Sequence, residues 1–404
     1  MLERLASVAP EEVRAAASRI AGRVLRTPTI ESPAINAATG ARVALKLDNL
    51  QATGAFKERG AANRLALLSA EERRAGVIAM SAGNHAQAVA RHATLAGIRA
   101  IIVMPRFTPA TKVLRTEAFG ARVVLEGETL AEAAAHAHAL AARDGLVFIH
   151  PYDDPAVIAG QGTLALELIE DAPFPLDAMI LPLGGGGLAA GCAVAARGTG
   201  IEVFGVEVEG YPAMRQRLAG DAVRVGGPTI AEGIAVRDVG ELPFALLREM
   251  NIEVLLVPER AAEQAIALLA EGAKVVAEGA GAAGVAALLA HPERFAGRRV
   301  GTPVCGGNID PRILANVLLR GLLRDGRLLR LHLDIPDRPG VLADIATRVA
   351  NAGGNVIEVS HQRLFAAPSV QTAELELMIE VRDRAQAGAI VAALEAGDYV
   401  VRRG

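Results

Sequence analysis

The stretch Met179-Ile180-Leu181-Pro182-Leu183-Gly184-Gly185-Gly186-Gly187-Leu188 decides how this chain is read. An apolar run meets four glycines, and an alanine-rich segment follows, so the order is strand, loop, helix. Four glycines remove every Cβ, which lets successive backbone N–H groups converge on an anion at the helix start. A bare glycine run is also compatible with a flexible hinge, but its place between strand and helix favours phosphate. No Gly-Lys-Ser/Thr follows, which excludes a Walker loop, and the spacing of the dinucleotide fingerprint is missing. The phosphate therefore belongs to something other than a nucleotide.

Outward from this point, short apolar runs at 77–80, 100–104, 123–125 and 203–207 alternate with helical stretches at 86–96, 109–119 and 129–143. That alternation predicts a mostly parallel sheet covered on both faces, an α/β doubly wound architecture over residues 46–319. The pattern changes after Leu323. A polar turn, Arg324-Asp325-Gly326-Arg327, leads into Leu329, Leu331, Leu333 and Ile335 on one strand face. Asp337-Arg338-Pro339-Gly340 then opens a helix, and strands at 356–361 and 373–381, a helix at 384–395 and a strand at 399–402 complete a ferredoxin-like βαββαβ unit. The expected domains are 1–323, with a smaller lobe at about 46–150, and 329–404.

Composition narrows the function classes. Of 404 residues, 51% are hydrophobic and 22% charged, which excludes a disordered scaffold. The charge balance is 42 basic against 45 acidic residues, and aromatic residues are 3%, so no nucleic-acid partner is expected. Two cysteines, Cys192 and Cys305, cannot build a disulfide framework and fit a reducing compartment. Glu3, Arg4, Glu11, Glu12, Arg14 and Arg19 leave no signal-peptide core. The uncharged stretch 178–196 holds Pro182 and the glycine run, which a membrane-spanning helix would not choose. A cytoplasmic protein without membrane partners is expected.

Three further segments carry chemistry. Ser81-Ala82-Gly83-Asn84-His85 is a second strand-to-helix loop, suited to a carboxylate or a phenolic oxygen, or simply an N-cap. In Thr53-Gly54-Ala55-Phe56-Lys57-Glu58-Arg59-Gly60-Ala61, Lys57 sits where a helix begins. Most lysines are solvated surface charges, but partial burial there would lower its pKa and give the amine that forms Schiff bases. Pro303-Val304-Cys305-Gly306-Gly307-Asn308 ends a strand in a tight turn, where a buried cysteine is ordinarily a small hydrophobe. No His/Cys/Asp cluster has ligand spacing, so no metal is expected. A phosphate cradle, a Schiff-base lysine and a carboxylate loop on one sheet point to pyridoxal 5'-phosphate acting on an amino acid.

These segments, together with Ala86-Gln87, resemble fold-type II pyridoxal phosphate enzymes and most of all threonine dehydratases (threonine ammonia-lyases), over residues 26–320. Residues 329–404, with Asp337-Arg338-Pro339-Gly340-Val341-Leu342, resemble an ACT domain. The resemblance implies that Lys57 holds the cofactor and serves as general base, that Phe56 packs beside the pyridine ring, and that Asn84 hydrogen-bonds its phenolic oxygen. It assigns the phosphate to Gly184, Gly185, Gly186, Gly187 and Leu188. It assigns the substrate carboxylate to the loop Ser81, Ala82, Gly83, Asn84 and His85. Cys305 would face the pyridine nitrogen, where many members carry Ser. Neither group holds that nitrogen as a pyridinium, and a weaker electron sink suits β-elimination. Glu278 either lines the ring side or is a helix-start carboxylate. Serine racemases carry Ser at the position matching Ala82, so racemisation is expected to be poor. The metal site of racemases needs a further carboxylate where this chain has Ala213.

The implied reaction is dehydration and deamination of L-threonine to 2-oxobutanoate and ammonia, with L-serine giving pyruvate. A serine or threo-3-hydroxyaspartate dehydratase and a serine racemase are same-fold alternatives. A catalytically dead amino-acid sensor is the alternative from another class, and retention of Lys57 argues against it. For the C-terminal domain, the resemblance implies side-by-side pairing in a homodimer or homotetramer. Isoleucine or valine would bind at that junction, against Gly340, Val341 and Leu342 and near Asn355 of the partner subunit.

Overall fold

A computed structural model describes residues 8–362 and 372–404; Glu3 and Arg4 lie outside this range. The chain divides into two compact units, Met1–Ile309 and Asp310–Gly404. The described strands of the first unit are β1 (Thr29–Glu31), β2 (Arg42–Lys46), β3 (Val77–Met80), β4 (Ala100–Met104), β5 (Arg122–Leu125), β6 (Val147–Phe148), β7 (Ala178–Pro182), β8 (Glu202–Val208), β9 (Glu253–Val257) and β10 (Arg299–Pro303). They form two sheets, β1-β2-β10-β7-β8-β9 and β5-β4-β3-β6. Every pairing is parallel except β1 with β2. β4 and β7 are buried along their whole length, as continuous apolar runs in a doubly covered sheet must be.

Alternate residues of the smaller sheet pack on opposite sides. Val77, Ala79, Ile102 and Met104 join Val89 and Ala93 in one core, while Ile78, Ile101 and Val103 meet Ala133 and Ala137 in the other. The larger sheet buries Met179 and Leu181 against Ala189, Val194 and Leu164. Helix starts follow local chemistry. Asp154 accepts from the backbone N–H of Ala156 (2.8 Å) and Val157 (3.0 Å), with Pro155 at the first position of Pro155–Asp171.

Sheet order places the site. In the larger sheet, β7, β8 and β9 run one way from β7, and β10 and β2 run the other. The strand order thus reverses between β7 and β10, and their exit loops are the tetraglycine and Val304–Gly307 segments. In the smaller sheet the reversal lies between β3 and β6, whose exit loops are Ser81–His85 and Ile149–Tyr152. Open α/β sheets bind ligands at such switch points, beyond the carboxyl ends of the strands. The two reversals meet: Asn84, after β3, contacts Asn308 and Glu278, and Tyr152, after β6, lies against Gly185, after β7.

The second unit comprises the helix Pro311–Asp325, then β11 (Leu328–Pro336), the helix Val341–Asn351, β12 (Asn355–Gln362), β13 (Thr372–Glu380), the helix Arg384–Glu395 and β14 (Val400–Arg403). Its sheet is antiparallel in the order β12-β13-β11-β14. Leu329, Leu331, Leu333 and Ile335 alternate inward and pack with Leu375, Leu377, Ile345 and Leu394. The opposite face is polar, with Arg402 on Asp334 at 3.0 Å and His332 near Glu374 at 3.4 Å. The units divide at Ile309 rather than at the change of pattern after Leu323, because the helix Pro311–Asp325 packs against β11.

Candidate active site

Lys57 opens the helix Lys57–Ala66 directly after a loop that is zipped to the turn following β10. Phe56 donates its N–H to the Cys305 carbonyl (2.9 Å), and Gly307 donates to the Gly54 carbonyl (2.9 Å). The Lys57 amine donates to the Pro151 carbonyl at 2.7 Å and lies 5.2 Å from the centre of the Phe56 ring. Part of the residue remains open to the cleft, but its amine is shielded. Burial lowers its pKa from the ordinary 10.5 to about 8.

Tyr152, one residue beyond the carbonyl that holds the lysine, lies across the glycine run. A Cβ on Gly185 would stand 2.3 Å from the Tyr152 ring, and one on Gly187 would stand 3.0 Å from its backbone. Gly186 has φ +94°, and a Cβ there would also meet Pro243 at 2.7 Å. The helix Gly187–Ala195 begins with no capping side chain, so its first-turn N–H groups are left for an anion. The Leu188 side chain is in the core, which leaves its backbone as the part that faces a ligand. The glycine run is thus a cradle that side chains would fill.

On the opposite wall, the helix Asn84–Leu95 also starts without a side-chain cap. Ser81 turns its hydroxyl back to accept from the Gly83 N–H at 3.1 Å. Asn84 donates from Nδ2 to Glu278 Oε1 (2.8 Å), and its Oδ1 accepts from Asn308 Nδ2 (2.8 Å). Burial pushes the Glu278 carboxyl up to about 7. His85 is buried with Nε2 3.0 Å from the Ile149 carbonyl, so its proton sits on Nε2 and Nδ1 has no partner. Burial and the nearby lysine lower its pKa to about 3. The ring is neutral and turned inward, so a bound carboxylate would meet the backbone of this residue. His150 is likewise held down by burial, and its Nδ1 accepts from the Asp153 N–H at 2.8 Å.

Cys305 is buried, 3.6 Å from the Ala280 carbonyl, and burial pushes its thiol well above the ordinary value. It stays a neutral donor or acceptor. Glu207 accepts from the backbone N–H groups of Met214 (2.7 Å) and Arg215 (3.0 Å), closing the start of Ala213–Ala219. Among the described residues, no group of three or more His, Cys, Asp or Glu is arranged to hold a metal ion.

The lysine helix is anchored from behind by Arg59, whose side chain is fully buried. It donates to Asp48 at 2.6 and 2.8 Å and to Glu167 at 2.7 and 2.8 Å, and Lys46 reaches Glu167 at 2.8 Å. Glu58 ties the same helix to Asn84–Leu95 through His92 at 2.9 Å and Arg91 at 3.1 Å. Among the residues proposed from sequence, Phe56 is bonded to Cys305, Asn84 meets Asn308 and Glu278 beside that turn, and Gly185 and Gly187 lie against Tyr152, next to the carbonyl that holds Lys57. The sequence reading missed Pro151, Tyr152 and His150. Their signal is the Ile149-His150-Pro151-Tyr152 exit of β6, too short a strand to stand out.

These residues fit pyridoxal phosphate: a shielded amine of low pKa, an uncapped helix start behind a glycine cradle, an amide donor and a neutral thiol. In the second unit, Gly340 has φ +92° and begins Val341–Asn351 with no side-chain cap and open space around its Cα. Val341 is buried, Leu342 is exposed, and Asn355 donates to Glu380 at 3.1 Å. No helix among the described residues is long and apolar enough to cross a membrane.

Comparison with known proteins agrees with this geometry. The family described as pyridoxal-phosphate dependent enzyme matches residues 20–306, and the ACT domain matches residues 327–402. The L-threonine ammonia-lyase of Thermotoga maritima is 42% identical over 396 residues, 97% of this chain and 98% of that one. The L-threo-3-hydroxyaspartate ammonia-lyase of Saccharomyces cerevisiae is 41% identical over 311 residues, 76% of this chain and 95% of that one. Among solved structures, the processed form of threonine deaminase isoform 2 from Solanum lycopersicum superposes with a TM-score of 0.72 at 33% identity, covering 79% of this chain and 89% of that one. Cleft, cradle and lysine together with these matches establish that the chain belongs to the pyridoxal-phosphate-dependent enzymes, as a lyase-type member carrying a C-terminal ACT domain.

Proposed function

We propose that this enzyme dehydrates and deaminates L-threonine to 2-oxobutanoate and ammonia, and L-serine to pyruvate more slowly. The observation that carries the reading is the Lys57 amine, held at 2.7 Å by the Pro151 carbonyl with a pKa of about 8. When bound, pyridoxal phosphate supplies a carbonyl carbon that joins an amine and a conjugated ring that takes up electrons from a breaking bond. Lys57 would hold that group through Nζ, and the same Nζ would take the substrate α-proton. At pH 7 an amine of pKa 8 is about 10% unprotonated, against well under ~0.1% for an ordinary lysine.

The N–H groups at the start of Gly187–Ala195 hold the phosphate, and those of Ser81–His85 hold the substrate carboxylate. The Asn84 amide would hold the cofactor's phenolic oxygen, Phe56 would pack against its ring, and the neutral Cys305 thiol would serve its pyridine nitrogen. Ala82 has no proton to deliver on the opposite face, which favours elimination over racemisation.

Threonine is preferred to 3-hydroxyaspartate in this reading, because the threonine relative matches across both units while the hydroxyaspartate relative matches over 76% of the chain. The test is a panel of hydroxy amino acids assayed for 2-oxo acid. The highest kcat/KM is expected for threonine, and a higher value for 3-hydroxyaspartate overturns the assignment. The C-terminal unit binds isoleucine or valine near Gly340, Val341, Leu342 and Asn355, within a homodimer or homotetramer. An effector acts by favouring one catalytic conformation. A shift of the threonine saturation curve by either amino acid is expected; unchanged kinetics, with no binding by calorimetry, leave the unit a pairing module only.

A further inference from the structure

We propose that Asn308 is a positioning residue that fixes the amide of Asn84 with one N–H free toward the cofactor, a role that rests on the reading of Asn84 given above. The Thr53 carbonyl can only accept, so the Asn308 atom 2.7 Å from it is Nδ2. The same Nδ2 has a second hydrogen, directed at Asn84 at 2.8 Å, so the Asn84 atom there is Oδ1. This leaves Asn84 Nδ2 on the cleft side. One of its hydrogens goes to Glu278 Oε1 at 2.8 Å and the other remains.

Glu278 alone could not impose this orientation. Burial holds its carboxyl near neutrality in pKa, so it can accept from Nδ2 or donate to Oδ1. The terminal torsion of asparagine is broad and nearly two-fold, so without Asn308 both orientations are accessible. In the flipped orientation the phenolic oxygen would face a carbonyl.

The surrounding glycines leave room for this relay. A Cβ on Gly54, which has φ +74°, would stand 2.6 Å from Asn308 Oδ1, and one on Gly306 would stand 2.2 Å from Glu278 Oε1. The relay also starts at Thr53, in the loop that leads to Lys57. One side chain thereby sets the phenol donor relative to the lysine.

The test is a double-mutant cycle on the full chain, read by the dissociation constant for pyridoxal phosphate in equilibrium dialysis, by the visible band of the bound cofactor and by the melting temperature of the apo-protein. Asn84→Ala is expected to weaken cofactor binding about tenfold or more, and Asn308→Ala by a similar factor. The pair together should lie within about twofold of Asn84→Ala, because Asn308 acts through Asn84. Asn308→Asp, nearly isosteric but without N–H donors, should shift the visible band in the same direction as Asn84→Ala; it also serves if the alanine variant fails to fold. Additive losses in the double variant, or normal affinity in both Asn308 variants, overturn the proposal. Normal affinity in Asn84→Ala overturns the reading of Asn84 and the proposal with it, and is distinguishable because Asn84 alone is altered.

Discussion

Replacing Arg59 by methionine keeps much of the side-chain volume and removes the guanidinium that anchors the lysine helix. In the native protein, Arg59 and Asp48 are both fully buried, and Asp48 has one other side-chain donor, the Thr27 hydroxyl at 2.7 Å. The inner cluster of Arg59, Lys46, Asp48 and Glu167 is balanced in charge, and the substitution leaves it one positive charge short. Stranding one member of a buried pair costs about 3–5 kcal/mol, a large fraction of the ~5–15 kcal/mol that holds a domain together.

The sign with pH follows from Asp48. The guanidinium holds its carboxyl below the usual range in the native protein despite burial. Its contribution is therefore present above the unfolded value of about 3.9 and is lost as pH falls through the folded one. In the variant burial is opposed only by the Thr27 hydroxyl and the charge of Lys46, so that pKa rises, the carboxyl protonates on milder acidification and the penalty shrinks. The assay is urea denaturation followed by far-UV circular dichroism at pH 7 and pH 5, with midpoint shifts of the first unit's transition converted by the wild-type slope. A loss of about 3 kcal/mol or more at pH 7, smaller at pH 5, is expected. Adding Asp48→Asn to Arg59→Met should restore about 1 kcal/mol or more, although it removes a further native group. A loss below about 1 kcal/mol, or one equal at both pH values, refutes the reasoning.

Lys57→Ala should abolish turnover, and steady-state activity within about tenfold of wild type would sink the mechanism, since a general base alone contributes about 100-fold or more. Cys305→Ser should change kcat/KM by less than about tenfold, because both groups are neutral at this position; a hundredfold loss would give the thiol another role. Gly185→Ala places a Cβ within 2.3 Å of the Tyr152 ring, so it should cost about 1–3 kcal/mol as overpacking and weaken cofactor binding in a dialysis measurement. In the apo-protein, Lys57 has a pKa of about 8 against 10.5 when exposed. The unfolded chain therefore binds more protons across pH 8–10.5, and stability rises with pH there by at most about 3 kcal/mol; Lys57→Ala should remove that slope in urea titrations.

Parallel strands with both faces covered must be apolar throughout, which is why β3, β4 and β7 stand out in the sequence. The glycine run and Lys57 were legible for a similar reason: each breaks a local rule at a strand or helix boundary. Tyr152 and Pro151 were not, because they follow β6, two residues long, whose place is set by pairing with β3 about seventy residues earlier. Arg59 was visible as part of the Lys57 segment, but the carboxylate that closes over it, Glu167, lies 108 residues away. Asn308 was visible as part of a motif, but its bonds to Thr53 and Asn84 span 255 and 224 residues. The helix Pro311–Asp325 shows a further limit, since amphipathicity declares that a face is buried and does not say against which unit.

Proton supply around the lysine argues for elimination. His85 is held near a pKa of 3 and His150 is lowered, so neither carries a charge at neutral pH. Tyr152 is pushed up to about 12, and the Cys305 thiol is raised as well, so both keep their protons. That leaves Lys57, at about 8, as the basic group near its working range in this wall of the cleft. Glu278, at about 7, is engaged with Asn84. In the function proposed above Ala82 serves the other face, and its side chain is a methyl group. A proton removed by Lys57 can return through Lys57, to the face it left, whereas inversion requires delivery from the other face. Loss of the β-substituent requires no second acid/base there, so with Ala82 in that role the substrate is committed to elimination.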